Sequence, residues 1–149
     1  MNAVPARGGN EHGRDVLIDT PIWSLALRRK PADLNPTERA ISENLTDLVP
    51  GGRARIMGVI RQEVLSGIRD QAVFNGIRDH LRSFDEPRLE ISDYEQAAEM
   101  NNRCRIRGVS GSPINFLICA VVHRRGWQIF TLDQDFKRYD SVLGIGLYI

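Results

Sequence analysis

The chain has 149 residues, 42% hydrophobic and 26% charged, the balance of one ordinary domain with a core of its own, which disfavours a multidomain or disordered chain. No apolar run reaches the roughly 18 residues of a membrane helix, the longest being Phe116 to Val122, and the N-terminus lacks the apolar core of a secretory signal, so a cytoplasmic protein without membrane contact is expected. The net charge of +1 hides an excess of arginine, since only Lys30 and Lys137 among the 20 basic residues are lysines, and the planar arginine fork suits phosphate.

Residues 1–14, rich in Gly, Asn and charge without periodicity, read as a flexible N-terminal extension, and residues 15–149 as the folded domain. Val16, Leu17 and Ile18 form a short apolar run ending in Asp19-Thr20-Pro21, the pattern of a buried strand that hands over to a helix reaching about Lys30. Asn35-Pro36-Thr37-Glu38 opens a second helix through Leu48, Pro50-Gly51-Gly52 closes it, and Arg53 to Met57 is predicted as a strand before a helix over Val59 to Ser66. Gln71 to Phe84 carries apolar positions at helical spacing. Pro87 breaks that helix ahead of a strand-like Arg88 to Ile91.

A helix over Ser92 to Arg107 is predicted, with Ser92 as cap, Glu95 three residues on, and Gly108 as the stop. Ser112-Pro113 starts a strongly apolar helix to Arg125, and Gly126 ends it before a strand over Gln128 to Leu132, with a last strand near Leu147 to Ile149. Cys104 and Cys119 lie in helix-like segments without metal-ligand spacing, so two buried reduced thiols are expected rather than a disulfide or zinc. Arg28 to Lys30, Arg103 with Arg105 and Arg107, and Arg124 with Arg125 form basic clusters, either solvated helix ends or contacts to a nucleic-acid backbone.

Strands alternating with more numerous helices predict an α/β fold, three layers in α/β/α order around a mainly parallel sheet. In such sheets ligands settle beyond the carboxyl ends of the strands. Asp19 and Asp133 each follow an apolar strand and should reach that rim. Asp19 is also explained by helix capping alone. Glu63 sits beside Val64 on the border of an inward helix face, where it needs a cation, a donor or solvent, and an arginine salt bridge would satisfy it.

Asp133 and Asp135 follow the strand ending at Leu132, and turn chemistry explains one of them. Brought together with Asp19 and Glu63, they repel unless a hard cation sits among them, which points to magnesium or manganese and to metal-assisted attack of water on a phosphodiester. Other chemistries have less support. His12, His80 and His123 are scattered and lie near no nucleophile motif. Gly108-Val109-Ser110-Gly111-Ser112 lacks the Gly-Lys-Ser/Thr of a phosphate loop and reads as a flexible connection.

Four blocks taken in order resemble PIN-domain ribonucleases, and within them the VapC-type toxins of bacterial toxin–antitoxin pairs. They are Val16-Leu17-Ile18-Asp19-Thr20-Pro21-Ile22-Trp23, Ile60-Arg61-Gln62-Glu63-Val64-Leu65-Ser66-Gly67, Asn115-Phe116-Leu117-Ile118-Cys119-Ala120 and Thr131-Leu132-Asp133-Gln134-Asp135-Phe136. The resemblance spans nearly everything from Asp15 onward. It implies a PIN-like domain acting as a Mg²⁺- or Mn²⁺-dependent endoribonuclease on structured RNA such as tRNA or rRNA. It also implies a homodimer silenced by a cognate antitoxin, with a segment of that protein crossing the active groove. The catalytic positions carried over are Asp19, Glu63, Asn115, Asp133 and Asp135. Asp19, Asn115, Glu63 and Asp133 take the metal.

One position departs from the pattern, because the third block ordinarily begins with Asp and here begins with Asn115. Asparagine keeps the shape but removes a charge, and its amide donors face a cation unfavourably. Losing a charge about 4 Å from a metal costs on the order of several kcal/mol, so activity should fall by orders of magnitude. The chain therefore reads as an attenuated nuclease, by engineering or natural decay, although Asn115 is also an ordinary first-turn helix residue. Two rivals remain. One is a catalytically inactive module that binds antitoxin or RNA. The other is a phosphotransferase using Asp19 as nucleophile, which Pro21 disfavours because the usual pattern has a second Asp there.

Overall fold

The computed structural model describes residues 13–148, so most of the N-terminal extension, His12 and Ile149 lie outside the described residues. Strand β1 (Val16–Ile18) is the centre of the molecule. All three side chains are fully buried, and a strand apolar at every position needs cover on both faces. Full burial of each such side chain contributes about 1.5–3 kcal/mol. β1 pairs in parallel with β2 (Ala54–Arg55) on one side and β3 (Gln128–Phe130) on the other. A parallel bridge from Ile129 to Leu147 widens the sheet beyond β3.

Helices α1 (Thr20–Leu27), α2 (Pro36–Leu48), α3 (Gly58–Leu65) and α4 (Gln71–Leu81) pack mainly on one another. Helices α5 (Ile91–Ile106), α6 (Pro113–Arg125) and α7 (Asp135–Leu143) make the second group. Two helix groups about a doubly buried parallel sheet are the expected α/β layering. A reciprocal capping box opens α2, with Glu38 N–H donating to Asn35 Oδ1 at 2.8 Å and Asn35 N–H to Glu38 Oε2 at 3.0 Å. Ser112 caps α6 by accepting from Asn115 N–H at 3.1 Å, and Gly126, at φ 67°, ends it in the left-handed turn that glycine adopts without strain. Every residue from Phe116 to Val122 is buried, so α6 is enclosed all round and presents residue 115 at its exposed first turn. Cys104 and Cys119 are buried and free, as expected, and burial pushes the Cys119 thiol up to about 12.

Several boundaries differ from the predicted ones. Arg88 to Ile91 forms no strand; it is the approach to α5, whose start is fixed two residues earlier than expected. The buried Asp93 accepts from Glu90 N–H at 2.8 Å, so Glu90 and Asp93 do what Ser92 and Glu95 were expected to do. The second strand shrinks from Arg53–Met57 to two residues, the third stops at Phe130, α1 ends at Leu27 ahead of a short 3₁₀ turn over Pro31–Asp33, and α4 ends at Leu81. Helix α7 was not predicted at all. Its Asp135 was read only as a site acid, and the polar exposed face of the segment obscures the spacing of its buried Phe136, Tyr139 and Leu143.

Candidate active site

The chain leaves β1 toward β2, while β3 leads on to Leu147 at the other side of the sheet, so the strand order reverses between β1 and β3. Loops diverge there and leave a crevice at the carboxyl ends of the two strands. Asp19 occupies it. Its N–H bonds Phe130 O at 2.9 Å, Oδ1 accepts from Thr20 N–H at 2.8 Å at the start of α1, and Oδ2 accepts from the Thr131 hydroxyl at 2.6 Å. One oxygen of the carboxylate therefore serves the helix start and the other ties β1 to the end of β3. The buried Trp23 indole bonds Ile18 O at 3.0 Å and ties α1 to the end of β1.

Thr131 links two acids, since its oxygen also accepts from Asp133 N–H at 3.0 Å. Asp133 Oδ1 in turn accepts from Asp135 N–H at 2.9 Å and begins α7. Asp135 stands in the first turn of that helix and is paired with Arg138. Glu63 lies on the exposed rim of α3, where its partner is the Thr20 hydroxyl at 2.6 Å rather than an arginine. Thr20 thus joins the β1–α1 junction, which holds Asp19, to the α3 acid.

Only 8% of Asp19 is exposed, and burial is the largest influence on its carboxyl, raising it above 3.8. The hydrogen bonds from Thr131 and Thr20 pull it down, and the charges of Glu63 and Asp133 push it further up. Acids from β1, α3 and the β3–α7 loop therefore share one electrostatic neighbourhood. Asn115 sits half-buried in the first turn of α6, with Nδ2 3.4 Å from the Tyr139 hydroxyl. Burial, followed by the charges of Asp135 and Asp133, raises Tyr139, and the Asn115 bond opposes this. Gly111 makes that approach possible, because a Cβ there would stand 2.3 Å from Tyr139 Oη. At Gly111 the Gly108–Ser112 loop is therefore fitted against Tyr139 rather than a bare connector.

Thr20, Thr131, Tyr139 and Gly111 were not singled out as site residues in the sequence. Only Thr131 left a local signal, as a hydroxyl two residues before Asp133 at a strand's end. Among the described residues no three His, Cys, Asp or Glu side chains gather into a group able to hold a metal ion. The donors around the crevice are nonetheless hard oxygens, carboxylates and hydroxyls, of the type that Mg²⁺ or Mn²⁺ takes. The basic clusters contribute little here: Arg124 is taken up by the buried Asp93, at 2.6 Å and 2.8 Å, and Arg29 by Glu38.

No protein-family model matches the chain, and no curated protein does. Among solved structures, the crystal structure of FitAcB from Neisseria gonorrhoeae superposes with a TM-score of 0.66 at 16% identity, covering 90% of this chain and 96% of that one. The fold is PIN-like. Likeness at that identity speaks for architecture, and the PIN-like architecture is the one the four blocks implied. No helix among the described residues is long and apolar enough to cross a membrane.

Proposed function

We propose that the chain is the toxin component of a toxin–antitoxin pair, a PIN-like endoribonuclease dependent on Mg²⁺ or Mn²⁺ and attenuated by Asn115. The observation that carries the reading is Asp19, buried at the β1–β3 crevice with its carboxyl raised by burial and by the charges of Glu63 and Asp133. A divalent ion bound there supplies positive charge that polarises a phosphodiester and acidifies water. Asp19, Glu63 and Asp133 are the side chains that would have to close on it from their present positions, with the Asn115 carbonyl as a neutral fourth donor. Thr131 fixes Asp19 and Asp133 relative to each other, Thr20 holds Glu63 on the rim where it orients the attacking water, and Asp135 sets the start of α7.

Further support is the likeness in fold to FitAcB from Neisseria gonorrhoeae, the PIN-like architecture that the four sequence blocks imply. On this reading the partners are structured RNA such as tRNA or rRNA, a cognate antitoxin, and a second copy of the chain, in the cytoplasm. Residues 15–149 are the nuclease domain and residues 1–14 an appendage to it. A groove lined by Tyr94, Ala97, Ile114 and Leu117 between α5 and α6 is the apolar surface available to the second copy.

A second reading, a binding module without catalysis, is favoured by Asn115 itself, a neutral amide that spends its Nδ2 on the Tyr139 hydroxyl and brings no negative charge to a cation. Matched digestion of total cellular RNA by the chain and its Asn115→Asp variant, with Mn²⁺, separates the two. The nuclease reading expects at least a tenfold gain in cleavage, abolished by adding Asp19→Asn. Equal silence of both proteins with retained RNA or antitoxin binding supports the module.

A further inference from the structure

The amino end of the same sheet carries a cavity of about 450 Å³ lined by Asp15, Arg55, Arg124, Arg125 and Trp127. Asp15 precedes β1 and Trp127 precedes β3, so this pocket lies at the pole opposite Asp19, roughly 13 Å away at about 3.3 Å per strand residue. Two of its three guanidiniums are occupied. Arg55 bonds Asp15 at 2.8 Å, and Arg124 grips Asp93 through Nε at 2.6 Å and a second nitrogen at 2.8 Å, with Arg88 O at 3.3 Å and Glu90 at 3.9 Å on its outer side.

Arg125 is different. It has no carboxylate partner among the described residues, and its Nε is buried without a hydrogen-bond partner there. The guanidinium is nevertheless held, 5.6 Å from the centroid of Trp127, the same distance as Arg55. Such a cation–π contact pre-orients the fork. A basic last turn of α6 is explained by the helix dipole, but that explanation does not call for a buried donor left unmet, which is destabilising.

We propose that this pocket binds a phosphodiester of an RNA backbone, with Arg125 as its free donor. With Arg55 paired to Asp15 and Arg124 to Asp93, Arg125 is the guanidinium of the lining without an ion-pair partner among the described residues, one positive charge for a singly charged phosphodiester, and the arginine fork matches two phosphate oxygens. Trp127 is only 8% exposed, so a base has no ring to stack on, and the contact reads charge rather than sequence. RNA as the source of the phosphate rests on the proposed function; the anion site itself does not.

The test is fluorescence anisotropy of a labelled RNA hairpin with the full chain in EDTA across a salt series, which keeps binding separate from cleavage and from the acids at the other pole. Arg125→Ala should weaken binding about tenfold and flatten the salt slope by about one, with Arg125→Lys in between and Arg107→Ala, at an exposed position, causing a smaller loss. Inorganic phosphate should compete only weakly. Should Arg125→Ala be poorly folded, the Arg125 Nε–H resonance of the parent chain should shift on adding RNA. The proposal is overturned by an unchanged affinity and slope in a folded Arg125→Ala, by no RNA binding in the parent, by free phosphate competing as well as RNA does, or by an acidic peptide binding through Arg125 where RNA does not. Failure of the nuclease reading shows separately, in the cleavage assay of Asn115→Asp.

Discussion

The Thr131 hydroxyl lies 2.6 Å from Asp19 Oδ2, across 112 residues of sequence. It joins the carboxyl ends of β1 and β3 at the point where the sheet order reverses. The same oxygen accepts from Asp133 N–H at 3.0 Å, so one side chain sets the spacing of two acids. Thr131→Val keeps the shape and removes both bonds. It should cost about 1–2 kcal/mol and raise the Asp19 carboxyl further, because the lost bond favours the ionised form. An NMR titration of the Asp19 carboxyl carbon, alongside a denaturant melt, reads both effects.

Asp19 also predicts the sign of a pH effect. Its folded carboxyl titrates above 3.8, because burial first, then Glu63 and Asp133, disfavour the charge. The folded state thus holds the proton after the unfolded chain has released it, and stability falls as pH rises from 3.8 through the raised folded value. Asp19→Asn removes that loss. Unfolding free energies of parent and variant, compared from pH 3 to pH 7 without divalent metal, should shift steadily in the variant's favour; a constant difference would contradict the assignment.

Asp93 behaves in the opposite sense. Burial pushes its carboxyl up, but the bonds from Arg124 and from Glu90 N–H outweigh burial and hold it below 3.8. Its stabilisation is therefore complete above 3.8 and is lost as pH falls through the lower folded value. Asp93→Asn leaves Arg124 only the more distant Glu90 at 3.9 Å as counter-charge and should cost about 3 kcal/mol at neutral pH, with the two proteins converging in acid. Thermal melts at pH 7 and pH 2.5 measure this.

What was legible in the chain and what was not follow the reach of the interactions. The run Val16 to Ile18, with Asp19-Thr20-Pro21 behind it, encodes a buried strand, a turn and a helix start within a few residues, so strand, helix and the rim position of Asp19 were all readable. The α2 capping box and the Ser112 start of α6 were readable for the same reason. The start of α5 was not, since Ser92 with Glu95 is a plausible cap locally, and Glu90 with Asp93 prevails because burying Asp93 against Arg124 joins α5 to α6. The partners of the acids were beyond reach. Nothing near Glu63 shows that Thr20 is its donor, and nothing near Gly111 shows that Tyr139 takes the room its missing Cβ leaves.

On the proposed function Asp19, Glu63, Asp133 and residue 115 surround one divalent cation, and a Mn²⁺ titration by calorimetry tests this without any choice of substrate. Restoring the charge with Asn115→Asp should tighten Mn²⁺ binding by at least about tenfold, equivalent to about 1.4 kcal/mol, and adding Asp19→Asn to that variant should erase the gain. Equal affinities for the parent chain and Asn115→Asp, or a gain that survives the loss of Asp19, would show that residue 115 and Asp19 do not share an ion.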